Sequence, residues 1–420
     1  MTEQVTEVDV AIIGGGMVGA SLAVALAGTG VATMLVEGFA PGSQTQPSFD
    51  DRTTALGNAS RRIFNGLGVW ERIAPQAAAI RTIHVSDAGR FGFARLSAAE
   101  QGIDAFGYVV SNRVIGAALW EKLQSSTDLR LRVPARPEEV VIGSSAVKFC
   151  LAGPSAPGDH ARVEQVSARL VVAADGAHSS IRGLAGIDAD VQDYDQLAIV
   201  ANVRADRPHD GIAYERFTPS GPLAVLPLFD GSLGVIWTCA PARAAEVLAY
   251  DDATFLRELQ ERFGWRAGKF VRAGVRASYP LKLTRAASAV GTRTVLIGNA
   301  AQALHPVAGQ GFNLGLRDAA MLAEILAGAS SGRGPVADVG DPQLLERFAQ
   351  WREGDRTGVV RFTDGLVKLF GDTRPGMGLL RNLGLLLFDV MPPAKSALAR
   401  VSAGFAGPTP RLARGLSVRA

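Results

Sequence analysis

The sequence predicts an α/β fold: a Rossmann-like domain interleaved with an antiparallel-sheet domain, with C-terminal helices following both. Three observations predict it. The turn Gly14-Gly15-Gly16-Met17-Val18-Gly19 follows a buried apolar strand and opens a helix. Two more apolar runs, Leu170–Ala174 and Thr294–Ile297, also end in glycine-bearing turns. Between them, residues 190 to 280 carry short apolar runs separated by turn signals, the pattern of an antiparallel sheet.

The elements follow in order. Val8–Ile13 is apolar without alternation, as a strand buried on both faces should be. A helix is expected over Val18–Ala27, punctuated by Gly28 and Gly30, and a second buried strand over Val31–Val36. Thr53–Leu67 and Val114–Leu123 read as helices. Strand-like runs lie between Leu129 and Cys150 and over Val163–Val172, with a hairpin loop at Gly153–Asp159. Leu197–Val203, Leu223–Leu228 and Leu233–Thr238 are the sheet strands. A helix at Leu316–Ala327 precedes a Gly/Ser/Pro-rich linker, Gly328–Gly340. Residues 343 to 404 look helical, with Val359, Phe362, Leu366 and Phe370 at helical spacing. The resulting division assigns 1–80, 106–185 and 281–335 to a discontinuous cofactor domain and 81–105 with 186–280 to a substrate domain. Residues 336–410 form a C-terminal helical region and 411–420 a basic tail.

Composition narrows the function classes. A chain of 420 residues is long enough for two or three domains with a buried core. With 47% apolar and 20% charged residues, it is a globular chain and not a disordered one. A net charge of +3, without a long basic run in the body, argues against a nucleic-acid partner. Cys150 and Cys239 stand far apart and make no disulfide framework, which points to a reducing compartment, the cytoplasm. The five histidines include no i, i+4 pair, so no metal site is expected. The acidic, polar N-terminus predicts no cleavable signal, and no apolar stretch reads as a membrane span.

Three motifs carry chemistry. In Gly14–Gly19, Gly14 serves the turn, Gly16 the approach of backbone to a pyrophosphate, and Gly19 close helix packing. Glu37 ends the second strand about 18 residues later, where a carboxylate accepts from ribose hydroxyls. The motif alone does not separate FAD from NAD, and the alternative is a glycine turn with a capping acid. The second motif is Asp175-Gly176-Ala177-His178-Ser179-Ser180-Ile181-Arg182, whose plainer reading is a serine-capped Asp-Gly turn. The third runs from Gly298 to Asp318. There Gly309, Gly311 and Gly315 open a helix whose amides suit the anionic pyrimidine end of a reduced flavin.

Together, in this order and spacing, the motifs resemble the flavoprotein aromatic hydroxylases of the para-hydroxybenzoate hydroxylase fold, over roughly residues 5 to 400. Asp51-Arg52-Thr53-Thr54-Ala55-Leu56 and LIGNAAQALHPVAGQGFNLGLRD are similar to the ubiquinone-biosynthesis subgroup. The GNAAQ variant, with Asn299 and Gln302 where most members carry Asp and His, is similar to the 2-octaprenyl-6-methoxyphenol hydroxylase branch.

The resemblance implies FAD, reduced by NAD(P)H or a reductase, and O2 as co-substrate. It implies a C4a-hydroperoxyflavin that hydroxylates a polyprenyl methoxyphenol in a dry cavity. No second GxGxxG exists, so a nicotinamide donor binds without its own Rossmann domain. Arg52 would lie beside the cofactor, Arg113 near the pyrophosphate, and Asp175 on the pyrophosphate or adenosine side; surface salt bridges are the alternative for the two arginines. Asn299 would face the ribityl and phosphate, while Gly298, Gly311, Phe312 and Asn313 complete the cofactor set. His305, Pro306 and Gly309 would line the reaction side, with His305 placed to shuttle a proton or simply to cap the loop. Leu223–Leu228 and Trp237 are expected at an apolar cavity wall, although Trp237 and Tyr279 also read as plain core.

The leucine-rich Gly376–Pro393 stretch and the basic tail suit either a peripheral contact with the inner membrane or a lipid-carrying partner. The other reading is a helix covering the cofactor domain, then a disordered tail. The competing functions are oxidation of another aromatic or isoprenoid compound, and a flavin-bound scaffold within a quinone-synthesis complex. A flavin halogenase is disfavoured, since the chain lacks Trp-x-Trp-x-Ile.

Overall fold

Val10, Ala11 and Ile12 are fully buried, which places Thr6–Ile13 at the centre of a sheet covered on both faces. The computed structural model describes residues 5–43, 52–152, 164–304, 309–330, 336–371 and 409–419, together with 374, 377, 391, 403 and 404. The Gly153–Asp159 loop, Asp51, and nearly all of Gly376–Pro393 lie outside the described residues, as do the side chains of Phe362, Leu366 and Phe370.

Around Thr6–Ile13 runs a parallel sheet in the order Thr294–Leu296, Glu164–Ala173, Thr6–Ile13, Thr33–Val36, Leu129–Arg132. The chain leaves Thr6–Ile13 toward one side and later returns on the other. The strand order therefore reverses there, and in open α/β sheets ligands bind at the carboxyl ends of such a switch point. Gly14 and Ala174 follow the two strands that flank it. Val147–Ala152 and Arg136–Ile142 extend Glu164–Ala173 antiparallel.

A second sheet has eight strands in the order Gln302–Ala303, Phe270–Ala286, Ala189–Ala205, Leu233–Cys239, Gly221–Pro227, Ile212–Thr218, Thr82–Asp87, Phe93–Ser97. It is antiparallel except for one pair, Ile212–Thr218 beside Thr82–Asp87. Helices Pro241–Ala249 and Asp252–Phe263, which the sequence reading did not separate from the sheet region, cover one face. Asp251 caps the second of them, accepting from the Thr254 N–H.

One expected element is corrected. Thr53–Leu67 is not a single helix: Thr53–Gly57 is a strand, paired with Gly107–Ser111, and the helix starts at Asn58. β-Branched Thr53 and Thr54 favour the strand. Gly57 then takes the extended conformation of a helix N-cap. The Gln310–Ala329 helix begins six residues earlier than Leu316 and packs against Pro342–Gly371.

The basic tail is neither disordered nor free. Leu412 and Ala413 are buried, Arg411 N–H donates to Glu324, and the Arg411 and Arg419 guanidiniums bond main-chain carbonyls, Arg419 that of Thr29. Among the described residues, no helix is long and apolar enough to cross a membrane.

Candidate FAD cradle and facing sheet

The Gly14–Gly19 turn is tight because it must be. A Cβ on Gly14 would lie 2.5 Å from the Ala174 carbonyl oxygen, and Gly14 has φ +105°. A Cβ on Gly19 would lie 2.0 Å from the Gly14 oxygen. The Met17–Leu26 helix then starts at Gly16 without a side-chain cap, which leaves its first amides for an anion. Glu37 is buried beside the turn and accepts from the Gly15 N–H at 2.6 Å and the Phe39 N–H at 2.9 Å. Its carboxylate has lone pairs left for a hydroxyl. Trp120 donates to the Gly15 oxygen at 3.2 Å, and so fixes the Asn112–Gln124 helix, with Arg113 exposed at its start, against the loop.

The other two motifs close on the first. Gly14 abuts Ala174 and Asp175, and Gly298 (φ +58°) and Gly315 both abut Val18. Asp175 turns one oxygen onto the Ser180 and Ile181 N–H groups, and its other oxygen is buried with no partner among the described residues. Arg182, the last residue of the second motif, donates to the Ala300 and Ala177 oxygens and ties two loops together, a role its spacing did not reveal. Asn299 is exposed at the rim.

At the far end, Gly309 has φ +60° and opens the Gln310–Ala329 helix, again without a side-chain cap. Gly311 and Phe312 are half-buried, and Phe312 stacks on Phe64 at 6.1 Å. Asn313 is fully engaged. It accepts from the Gly57 N–H and the Ser60 hydroxyl and donates to the Ala55 and Gly309 oxygens. Its side chain therefore shapes the loop, and only its main chain remains for a ligand. His305 and Pro306 lie outside the described residues.

Arg52 lies with its guanidinium 4.7 Å from the centre of the half-buried Tyr279 ring, a cation–π contact between the strand entering the cradle and the second sheet. Trp237 is 1% exposed and packs toward the helices with Phe255. Trp237 is thus core and not cavity wall, because strand alternation sends it, with Leu223 and Val225, to the helix side.

Behind the third motif sits an ion network that spacing did not reveal. Asp318 accepts from Gly298 N–H, Gln302 and Arg352; Asp355 accepts from Arg352 and Arg317. Burial opposes ionisation of Asp355, but the Arg317 and Arg352 guanidiniums outweigh it and hold the carboxyl below the usual range. Among the described residues, no group of three His, Cys, Asp or Glu side chains gathers as a metal site.

These features fit FAD: a cradle that any Cβ would fill, two uncapped helix N-termini, a carboxylate at the ribose position and an orphaned buried oxygen on Asp175. The sequence profile of a family described as FAD binding domain matches residues 7–363. The chain belongs to this FAD-binding family, as a flavoprotein of the aromatic-hydroxylase type. Ubiquinone hydroxylase UbiL of Rhodospirillum rubrum is 37% identical to it, over 97% of this chain and 93% of that protein. The 3-demethoxyubiquinol 3-hydroxylase of Escherichia coli is 32% identical, over 92% of this chain and 95% of that protein. Among solved structures, the p-nitrophenol 4-monooxygenase PnpA of Pseudomonas putida superposes with a TM-score of 0.76 at 20% identity, over 96% and 99% of the two chains, which shows the shared fold.

Proposed function

We propose that this chain hydroxylates the ring of a prenylated phenol on the route to ubiquinone, with FAD held by the three glycine-bearing loops. The observation that carries this reading is their convergence. Loops near residues 14, 175 and 298 meet at the carboxyl edge of the parallel sheet, with Gly309 over Ala55 at the far end. Likeness to ubiquinone hydroxylases along nearly the whole chain supports the substrate class.

When bound, FAD supplies the activation of O2, with electrons from NAD(P)H or a reductase. The chain binds, orients and excludes water. Gly14, Gly16 and Gly19 take the pyrophosphate at the helix start, Glu37 the ribose, and Arg113 the phosphate charge beside them. Asp175, Gly298 and Asn299 frame the middle of the cofactor. The main chains of Gly309, Gly311, Phe312 and Asn313 meet the ring edge, and Arg52 sits at its flank. His305 and Pro306 serve the reaction side in this reading. The facing sheet gives the prenylated ring an apolar wall. The division into cofactor domain, substrate domain, C-terminal helices and tail belongs to this reading. So do a cytoplasmic location, a peripheral membrane contact, and a lipid carrier or quinone-synthesis complex as partner.

Quinone profiling of a strain lacking this protein tests the reading. Loss of ubiquinone with build-up of a prenylated phenol lacking one ring oxygen is expected, and the compound that accumulates names the ring position. Build-up of the 6-methoxyphenol precursor identifies the branch. Unchanged ubiquinone overturns the reading.

A further inference from the structure

The two faces of the second sheet differ. Tyr214, Val225, Val235 and Trp237 point into the helix layer and are buried. By alternation, Glu215, Leu226, Ile236 and Val200 point the other way, and each keeps accessible surface. Glu215, Ala224, Ile236 and Val200 lie in register across four adjacent strands. The side they look toward is closed by the cradle. Thr53 lies against Gly234, and Ala55 packs with Leu226 and Ala213 beneath Gly309.

Glu215 is therefore largely enclosed by protein on the sheet face opposite the helix layer, and it keeps some accessible surface. No hydrogen bond or ion pair reaches it from the described residues. Burial alone pushes its carboxyl up to about 7, with no charged neighbour contributing. Among the described residues, this face also carries Asp87 on the adjoining strand, Tyr279 under Arg52 and, further along, Arg204 paired with Asp230. A lone carboxyl on an apolar wall costs stability unless a polar partner arrives, and such costs concentrate at functional sites.

We propose that Glu215 is a catalytic residue: it accepts the hydrogen bond of the substrate's phenol O–H and takes that proton during ring hydroxylation. This rests on the function proposed above and adds the group that orients the ring. The overall reaction consumes the phenol, O2, NAD(P)H and one proton, and yields the dihydroxy ring, NAD(P)+ and water. As the ring carbon bonds one oxygen atom derived from O2, the O–O bond breaks, the other oxygen goes on to water, and the phenol proton passes to Glu215. It returns to the same oxygen when the ring C–H proton leaves and aromaticity is restored. Moving the proton off the phenol enriches the para carbon in electrons, which is what attack on an electrophilic oxygen needs.

The test compares wild type, Glu215→Gln and Glu215→Asp, each loaded with FAD and supplied with NAD(P)H, O2 and a short-chain prenylated phenol. FAD content, hydroxylated product and the pH profile of kcat/KM are read. Glu215→Gln should keep its FAD and lose about a hundredfold in product formation. The wild-type rise in kcat/KM near pH 7 should vanish in that variant and survive in Glu215→Asp. Equal rates and profiles in wild type and Glu215→Gln overturn the proposal and leave the proposed function standing. A wild type that forms no product from any prenylated phenol overturns the function itself. If Glu215→Gln loses FAD, the wild-type profile decides, because a flat profile through pH 7 overturns the proposal.

Discussion

A methyl group on Gly19 would sit 2.0 Å from the Gly14 oxygen, so the helix has to lift away from its strand to admit one. Gly19→Ala should weaken FAD binding by at least about tenfold, on the order of 1.4 kcal/mol, read by flavin absorbance on titrating apoprotein. Asn313 makes the opposite point. Its place in the third motif suggested a cofactor residue, yet its amide is spent on Gly57, Ser60, Ala55 and Gly309. Asn313→Ala should cost at least about 2 kcal/mol, since buried main-chain groups lose their partners. Thermal unfolding of the apoprotein measures that cost without any cofactor. At this scale the glycines were legible, because a close backbone approach permits nothing else. The partner of a polar side chain was not, because Asn313 meets residues some 250 positions away.

The elements were legible where one period dominated. The buried strands of the first sheet are apolar runs bounded by glycine and appear as such. Thr53–Leu67 misled, because the helical pattern of its second half was extended back through a five-residue strand whose partner, Gly107–Ser111, is remote. The pairing of Gln310–Ala329 with Pro342–Gly371 rests on ions that spacing does not reveal. Arg352 is fully buried between Asp318 and Asp355. Arg352→Met should destabilise the protein by about 3–5 kcal/mol, because it removes the cation shared by two buried carboxylates and leaves Asp318 without an ion pair among the described residues. The same network predicts acid sensitivity. The folded-state value of Asp355 is depressed, so its contribution is complete above the ordinary carboxylate range near pH 4. That contribution is lost as pH falls through the depressed value. Thermal midpoints recorded downward from pH 5 should fall more steeply for wild type than for a variant lacking Asp355.

For the whole molecule, the convergence of loops near residues 14, 175 and 298 carries the proposed function, while the basic tail packs against the Asn58–Gly66 and Gln310–Ala329 helices. Leu412 fills the space that a Cβ on Gly66 would occupy, and the Arg411 and Arg419 guanidiniums are spent on main-chain oxygens. Leu412→Ala should therefore lower stability by about 2–4 kcal/mol, measured by chemical unfolding. Sequence alone read the tail's charge and missed its packing, since its few apolar residues are interspersed with arginines and show no period. The second sheet was legible as a sheet, but not which face looks toward the cradle. That face follows from the two covering helices, and with it comes the position of Glu215. The most direct measurement is a turnover in oxygen-18 gas, with FAD-loaded protein, NAD(P)H and a prenylated phenol. One labelled oxygen atom on the product ring is the predicted result. NAD(P)H oxidation that yields only labelled peroxide with every such phenol, or a protein that stays colourless with FAD, would contradict it.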